Sequence, residues 1–183
     1  MEGTNVDNII FIGGIHGVGK TTLCNKLSHQ LQLESHSASK IISNMKKQNL
    51  PSNKLIPNIN INQAFLIEGL NQLETEKHWM ILDGHFCLLD GKKNISKISE
   101  AVFKVIKPAA LIVITDSVKN IASRLKNRDD EEYDLKFLKQ FQNEETAYAR
   151  HIAKKFSIPI YIFNSSDESS SSLIQFITNL GVI

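Results

Sequence analysis

The sequence predicts an α/β fold, a parallel five-stranded sheet flanked by helices. Three observations carry this expectation. A glycine-rich turn, Gly14-Ile15-His16-Gly17-Val18-Gly19-Lys20-Thr21, separates the apolar run Ile9-Ile10-Phe11-Ile12 from a stretch with Leu23, Leu27 and Leu31 at helical spacing. Apolar runs of strand length recur at 79–83, 110–115 and 158–163, with helix-period segments between them. Strands alternating with helices close a parallel sheet through right-handed crossovers. Ligands of such sheets bind at the carboxyl edge of the strands, where Gly14, Asp83, Asp116 and Asn164 all fall.

Taken in order, the elements are read as follows. Residues 1–8 form a polar lead-in, 9–13 the first strand and 19–31 the first helix. A short strand at 33–37 leads into a helix over 38–48 with Ile41, Ile42 and Met45 on its apolar face. A loop containing Pro51 and Pro57 spans 49–62, and a helix with Phe65, Leu66, Leu70 and Leu73 runs from about 62 to 75. Trp79-Met80-Ile81-Leu82-Asp83 is a strand ending in an acid. Residues 87–94 are expected as a loop, and 95–107 as an amphipathic helix stopped by Pro108. The strand 110–115 follows, then a helix over 118–126 with Ser117 as its cap. A charged stretch at 126–134 breaks the pattern. A long helix over 135–156 carries Leu138, Phe141, Tyr148, Ile152 and Phe156 on one stripe, as core packing. The last strand, 158–163, is followed by a serine-rich loop and a helix over 173–180. No repeat or second domain is visible.

The glycine turn fits G-x-x-x-x-G-K-[ST] without a mismatch. Glycines let backbone N–H groups turn inward around an anion, and the following helix adds its positive end. Lys20 is placed to reach outer phosphates and the Thr21 hydroxyl to ligate Mg²⁺. The candidate nucleotide contacts are therefore Gly14, His16, Gly17, Val18, Gly19, Lys20, Thr21 and Thr22. His16 is included by position only, since no charge chemistry demands it. An apolar strand ending in Asp83 is the arrangement in which a carboxylate helps hold Mg²⁺, so Thr21 and Asp83 are the candidate metal ligands. A plain Asp-Gly turn is the alternative at Asp83.

Composition narrows the class. The chain has 183 residues, 42% hydrophobic and 22% charged, the balance of a globular protein with room for one core. A net charge of +2 argues against a dedicated nucleic-acid or membrane surface and leaves room for a local basic patch. Two cysteines, Cys24 and Cys87, are too few for a disulfide framework. With no leader pattern and no run of membrane-spanning length, the expected location is cytoplasmic.

The only arginines are Arg124, Arg128 and Arg150. Arg124 and Arg128 lie four apart, beside the broken stretch. Arginines on a mobile segment above a phosphate loop would stabilise charge on a transferring phosphoryl group, which makes them catalytic candidates with Lys20 and Asp83. The alternative is a solvated helix paired with Asp129, Asp130, Glu131 and Glu132. Between Glu34 and Glu68 the sequence has no acid but contains Lys40, Lys46, Lys47 and Lys54. This insert would overhang the same strand edge and receive a second anionic substrate, or simply present a solvated face. A further cluster, Lys92, Lys93, Lys97, Lys104 and Lys107, is a candidate nucleic-acid contact and more often a solvated face.

Together the phosphate loop, the helical insert, Ile81-Leu82-Asp83-Gly84-His85, the Arg124…Arg128-Asp129 segment and the long helix with Gln142 resemble nucleoside monophosphate kinases, particularly adenylate kinases of the archaeal type. The resemblance covers about 9–180. It implies a three-layer P-loop NTPase fold in a single domain over 1–183, with an acceptor-binding insert at about 37–75 and a short lid at about 126–134. It implies ATP and Mg²⁺ as cofactors, phosphates held by 14–22 with Arg124 and Arg128 above them, adenine near Asn164, and acceptor contacts from Ser37, Ser39 and Gln63. His85 is an acceptor contact or a turn residue. Three features depart from the family pattern. The insert lacks an arginine, Asn143 and Thr146 stand where arginines are expected, and His16 replaces a small residue or proline. The implied reaction is ATP-dependent phosphoryl transfer to a nucleoside monophosphate. The alternatives are transfer to a hydroxyl of a metabolite or a nucleic-acid 5′ end, and an ATP-binding regulatory switch.

Overall fold

A computed structural model describes residues 8–48, 60–73, 78–166 and 169–182. Of the loop expected over 49–62, residues 49–59 with Pro51, Lys54 and Pro57 lie outside the described residues, as do 74–77 at the expected end of the insert helix.

The central strand β1 (Ile9–Gly13) is buried along its whole length, and this is why it reads as a continuous apolar run rather than an alternating one. Around it stand β2 (Glu34–Ser37), β3 (Met80–Asp83), β6 (Ala110–Thr115) and β7 (Ile160–Asn164), in the order β2-β3-β1-β6-β7. Every pairing is parallel, with Ile12 opposite Asp83 and Thr115 opposite Asn164. The parallel sheet of five strands and its flanking helices give the expected α/β P-loop NTPase-like fold.

Among the described residues there are seven helices. Helix α1 (Lys20–Leu31) buries Leu23, Cys24, Leu27 and Leu31. Helices α2 (Ala38–Lys47) and α3 (Ile61–Asn71) pack tightly on each other. Gly69 permits this: a Cβ there would lie 2.2 Å from Ile41 Cγ2. Asn60 caps α3 by accepting the Gln63 N–H at 3.0 Å. Helix α6 (Leu135–Phe156) runs 22 residues with Leu138, Phe141, Tyr148 and Ile152 buried, and α7 (Ser171–Thr178) closes the described chain.

Three boundaries differ from the sequence reading. Residues 87–97 are not a loop leading into a helix. They form an antiparallel hairpin, β4 (Cys87–Leu89) and β5 (Ile95–Lys97), and α4 is confined to Glu100–Ile106. The cause is Asp90, whose Oδ1 accepts from Lys92 N and Asn94 N at 2.8 Å each, folding the turn. Ser99 then caps α4 through Ala101 N. Second, α5 (Val118–Asp129) extends past 126, so the expected lid at 126–134 is half helix. Only 130–134 is non-helical, and Arg128 sits on the last turn of α5. Third, the final helix starts two residues early, at Ser171.

Candidate functional site

The phosphate loop joins β1 to α1 at the carboxyl edge of the sheet. Its shape depends on Gly17 (φ 78°) and Gly19 (φ 102°), left-handed conformations that side-chain-bearing residues resist. Gly17 also packs closely, since a Cβ there would lie 2.7 Å from Leu125 Cγ on α5. Val18 is fully buried, so it serves the loop through its backbone and anchors it to the core.

Lys20 is nine-tenths buried, and its ammonium donates to the Gly14 carbonyl at 2.8 Å. Burial pushes it below the ordinary lysine value, while Asp83 and Glu145 act in the opposite direction. Asp83 ends β3 and its carboxylate accepts from the Thr21 hydroxyl. Burial raises its proton affinity, and Lys20 and Thr21 oppose the rise. Lys20, Thr21 and Asp83 therefore meet at one edge of the sheet, a half-buried carboxylate and the hydroxyl of an exposed threonine beside one buried cation.

These three residues share a cavity of about 380 Å³ with the insert. Ile42, Leu66, Val102 and Phe103 supply apolar wall, and Ser37, Ser39, Asn60 and Gln63 supply neutral polar groups. The Gln63 Oε1 and His85 Nδ1 atoms are buried without a hydrogen-bond partner among the described residues. Buried polar atoms without partners are costly, which marks them as places where a bound molecule would be held. His85 and His16 bring their rings to 4.5 Å at the junction of loop and cavity. Burial, Lys20 and His16 push His85 down to about 2, and burial with Lys20 and Arg128 lowers His16, so both rings are neutral at pH 7.

The other side of the loop forms a shallower pocket of about 270 Å³, lined by His16, Gly17, Gly19, Lys20, Thr21, Thr22, Arg124 and Arg128. The two arginines differ in their engagements. Arg124 donates to the Asp116 carboxylate at 2.5 Å and to the carbonyls of Gly17 and Val18 at 3.2 and 3.3 Å. It is a strut between the loop and the end of β6. Arg128 instead grips its half-buried neighbour Asp129 through two hydrogen bonds of 2.6 and 2.7 Å, and Tyr133 also donates to Asp129. Arg128 and Tyr133 hold the Asp129 carboxyl down at about 2.

Asp116 is a hub. Its side chain is fully buried and accepts from Arg124, Asn120 Nδ2, Ser117 N and Ser166 Oγ. These donors outweigh burial and hold its carboxyl well below the usual range. Gln142 on α6 grips the Asp116 backbone from both sides, accepting its N–H at 3.0 Å and donating to its carbonyl at 2.9 Å. Asn164 does not join the phosphate loop. It accepts from Ser166 N at 3.1 Å and lines a separate open cleft with Asn143, Thr146 and Arg150. Lys40, Lys46 and Lys47 are exposed and do not line the cavity. Lys92 and Lys93 sit on the hairpin turn, Lys97 pairs with Glu144 at 3.7 Å, and Lys104 and Lys107 belong to α4 and its end.

One residue of the site was not anticipated. Glu145 on α6 is 1% exposed, and its carboxylate accepts from the N–H groups of Gly14, Phe86 and Cys87. Its signal was present in the spacing: 138, 141, 145, 148 and 152 make one helical stripe, and an acid on that stripe must find donors in the core.

A family model described as AAA domain matches residues 13–140. Among solved structures the chain is similar to the YorR protein of Bacillus subtilis, crystallised in complex with phosphorylated GDP. The likeness covers 94% of this chain and 95% of that one at 20% identity, with a TM-score of 0.58. No curated protein matches the sequence.

Proposed function

The chain belongs to the AAA domain family of P-loop NTPases, and from that premise we propose that it is an ATP-dependent kinase that transfers a phosphoryl group to a nucleoside monophosphate, in the manner of an adenylate kinase. The observation that carries this reading is the shared cavity. A nucleotide switch needs a phosphate loop and a metal site, whereas this loop opens directly into a chamber walled by an inserted helix pair. A volume of about 380 Å³ suits a nucleoside-sized acceptor. The YorR likeness, a nucleotide-bound chain of the same fold, supports it further.

Within this reading the whole chain acts as one kinase-like domain, with residues about 37–75 as the acceptor insert and about 126–134 as the lid. Residues 14–22 cradle the donor phosphates, and Lys20 exchanges the Gly14 carbonyl for a phosphate oxygen. Thr21 and Asp83 are hard oxygen donors and fit Mg²⁺, which would neutralise phosphate charge. Among the described residues no group of three or more His, Cys, Asp or Glu could hold a metal ion, so such an ion would depend on nucleotide oxygens for most of its shell. Arg128 leaves Asp129 to reach the phosphates from the end of α5, and Asn164 marks the edge near the base. A monophosphate oxygen is already nucleophilic, so orientation and charge stabilisation suffice.

A second reading, transfer to a hydroxyl, is favoured by the chemistry of the walls. Among the described lining residues Lys20 is the one lysine or arginine, and the insert offers serine, asparagine and glutamine. An uncharged acceptor would suit these groups, with Asp83 accepting its proton.

The test is a Mg²⁺-ATP consumption assay against all ribo- and deoxyribonucleoside monophosphates, with nucleosides and a 5′-hydroxyl oligonucleotide alongside and Lys20→Ala as control. Turnover confined to one or two monophosphates and lost in Lys20→Ala is the expected result. Turnover on hydroxyl compounds alone would select the second reading, and ATP binding without turnover on any acceptor would reject both.

A further inference from the structure

We propose that Glu145 is a positioning residue that fixes the phosphate loop against the Asp83–Cys87 segment, so that donor and acceptor sides of the site move as one unit. Nothing in the nucleotide-binding pattern or the strand-end acid requires this residue.

The argument starts where the sheet stops. The β1–β3 ladder ends with Gly84 donating to the Ile12 carbonyl at 2.9 Å. Beyond that bond the two chains diverge, one into the phosphate loop and the other through His85 to the hairpin. Two residues further on, backbone donors of both branches converge on one side chain. Glu145 Oε1 accepts from Gly14 at 2.9 Å and from Phe86 at 3.0 Å, while Oε2 accepts from Cys87 at 2.5 Å. Burial raises the proton affinity of the Glu145 carboxyl, and the N–H groups of Phe86, Cys87 and Gly14 together with Lys20 oppose that rise. Three N–H groups on one interior carboxyl hold it in a single orientation.

The placement couples both halves of the site. Gly14 receives Lys20 on its carbonyl and gives its N–H to Glu145, so the same peptide is held from both sides. Phe86 directly follows His85 and lies three residues after Asp83. Moving the Phe86–Cys87 backbone therefore moves the metal-side carboxylate and a wall of the cavity. Gly13 makes room for the joint: a Cβ there would lie 2.3 Å from the Phe86 ring and 3.5 Å from Glu145 Oε1. One turn earlier on the same helix, Gln142 holds the end of β6 through Asp116. Helix α6 thus secures the end of β1, the end of β6 and the start of β4 with two side chains.

The experiment uses the full chain with Glu145→Gln. The amide keeps one accepting oxygen but turns a donor toward one of the three N–H groups. Hydrogen–deuterium exchange is followed with and without Mg²⁺ and a non-hydrolysable ATP analogue. In the natural chain, the analogue is expected to slow exchange both over 9–22 and over 84–89. In Glu145→Gln the slowing should persist in the loop and be lost over 84–89. Equal slowing of both segments in the variant would overturn the proposal. Glu145→Asp keeps the charge with a shorter reach, should show the same uncoupling in weaker form, and is the variant read if Glu145→Gln does not fold. This arm does not rest on the kinase reading; a kinetic arm does. Normalised to nucleotide-binding sites, kcat should fall about 100-fold in Glu145→Gln, as for misplacement by an ångström or so, with KM for ATP within about threefold of the natural value. A purely structural role would reduce the fraction of binding-competent protein and leave kcat per site unchanged, which would also overturn the proposal. If the natural chain turns over no acceptor, the kinase reading fails and the exchange result still decides the role of Glu145.

Discussion

Replacing Arg124 with alanine and, separately, Arg128 with alanine should produce opposite signatures, because the two arginines are engaged differently. Arg124 holds a fully buried carboxylate and two phosphate-loop carbonyls. Removing one partner of a buried pair costs roughly 3–5 kcal/mol, because the remaining charge is stranded. Arg124 is 45% exposed, and Asp116 keeps its bonds from Asn120, Ser117 and Ser166, so water and these donors absorb part of the loss. About 2–3 kcal/mol is therefore expected. For a chain of this size each kcal/mol shifts Tm by roughly 2–4 °C, giving a fall of about 4–12 °C. Arg128 is 59% exposed and pairs with half-buried Asp129 at the surface, a contact worth about 0–1 kcal/mol. Its loss should leave Tm within about 4 °C while kcat falls on the order of 1000-fold if it contacts the transferring group. Thermal unfolding by circular dichroism and steady-state kinetics on the same preparations read both quantities. An unchanged Tm in Arg124→Ala, or an unchanged kcat in Arg128→Ala in an otherwise active enzyme, would refute the division of roles.

Three further outcomes follow from the same geometry. Gly69→Ala should destabilise the chain by about 1–3 kcal/mol despite alanine's better helix propensity, because its Cβ would lie 2.2 Å from Ile41 Cγ2; adding Ile41→Ala should cost less than the sum of the single changes, as measured by urea unfolding. Asp116 has its folded-state proton affinity lowered, so its contribution is present above the unfolded value of about 3.9 and is lost as pH falls through and below it. Unfolding measured from pH 7 down to pH 3 should then show a shallower acid limb in Asp116→Asn, and identical limbs would contradict the hub. Burial raises both cysteine thiols to about 12, so neither Cys24 nor Cys87 should react with a thiol reagent at pH 8 until denaturant is added.

What could be read from the sequence follows from how local each signal is. The phosphate loop is written in adjacent residues whose conformations glycine favours, and β1, together with β3 and β6 up to their last residues, is buried and appears as unbroken apolar runs. Lys20, Thr21 and Asp83 were legible because motif and strand end fix them to one edge. The hairpin at 87–97 was missed because Ile95, Ile98 and Val102 also fit a helical period, and the deciding interaction is the Asp90 side chain folding its own turn. The end of α5 was misplaced because Lys126, Asn127 and Arg128 look like a broken pattern, although as exposed helix residues they need no apolar face. Asn164 reached the expected strand end but not the phosphate loop, since strand order alone sets neither depth nor direction. Glu145 and the bracing role of Arg124 depend on partners more than 100 residues away in sequence, which no local pattern encodes.

The most direct test of the central claim, that donor and acceptor occupy two adjoining pockets meeting at Lys20 and Thr21, is calorimetric titration with a bisubstrate compound, two adenosines joined 5′ to 5′ through five phosphates, in the presence of Mg²⁺. Linking two occupants of adjoining sites raises affinity by about 100-fold or more. The account predicts one molecule bound per chain, at least about 100-fold tighter than ATP and lost in Lys20→Ala. Binding no tighter than ATP, or two molecules per chain, would contradict it.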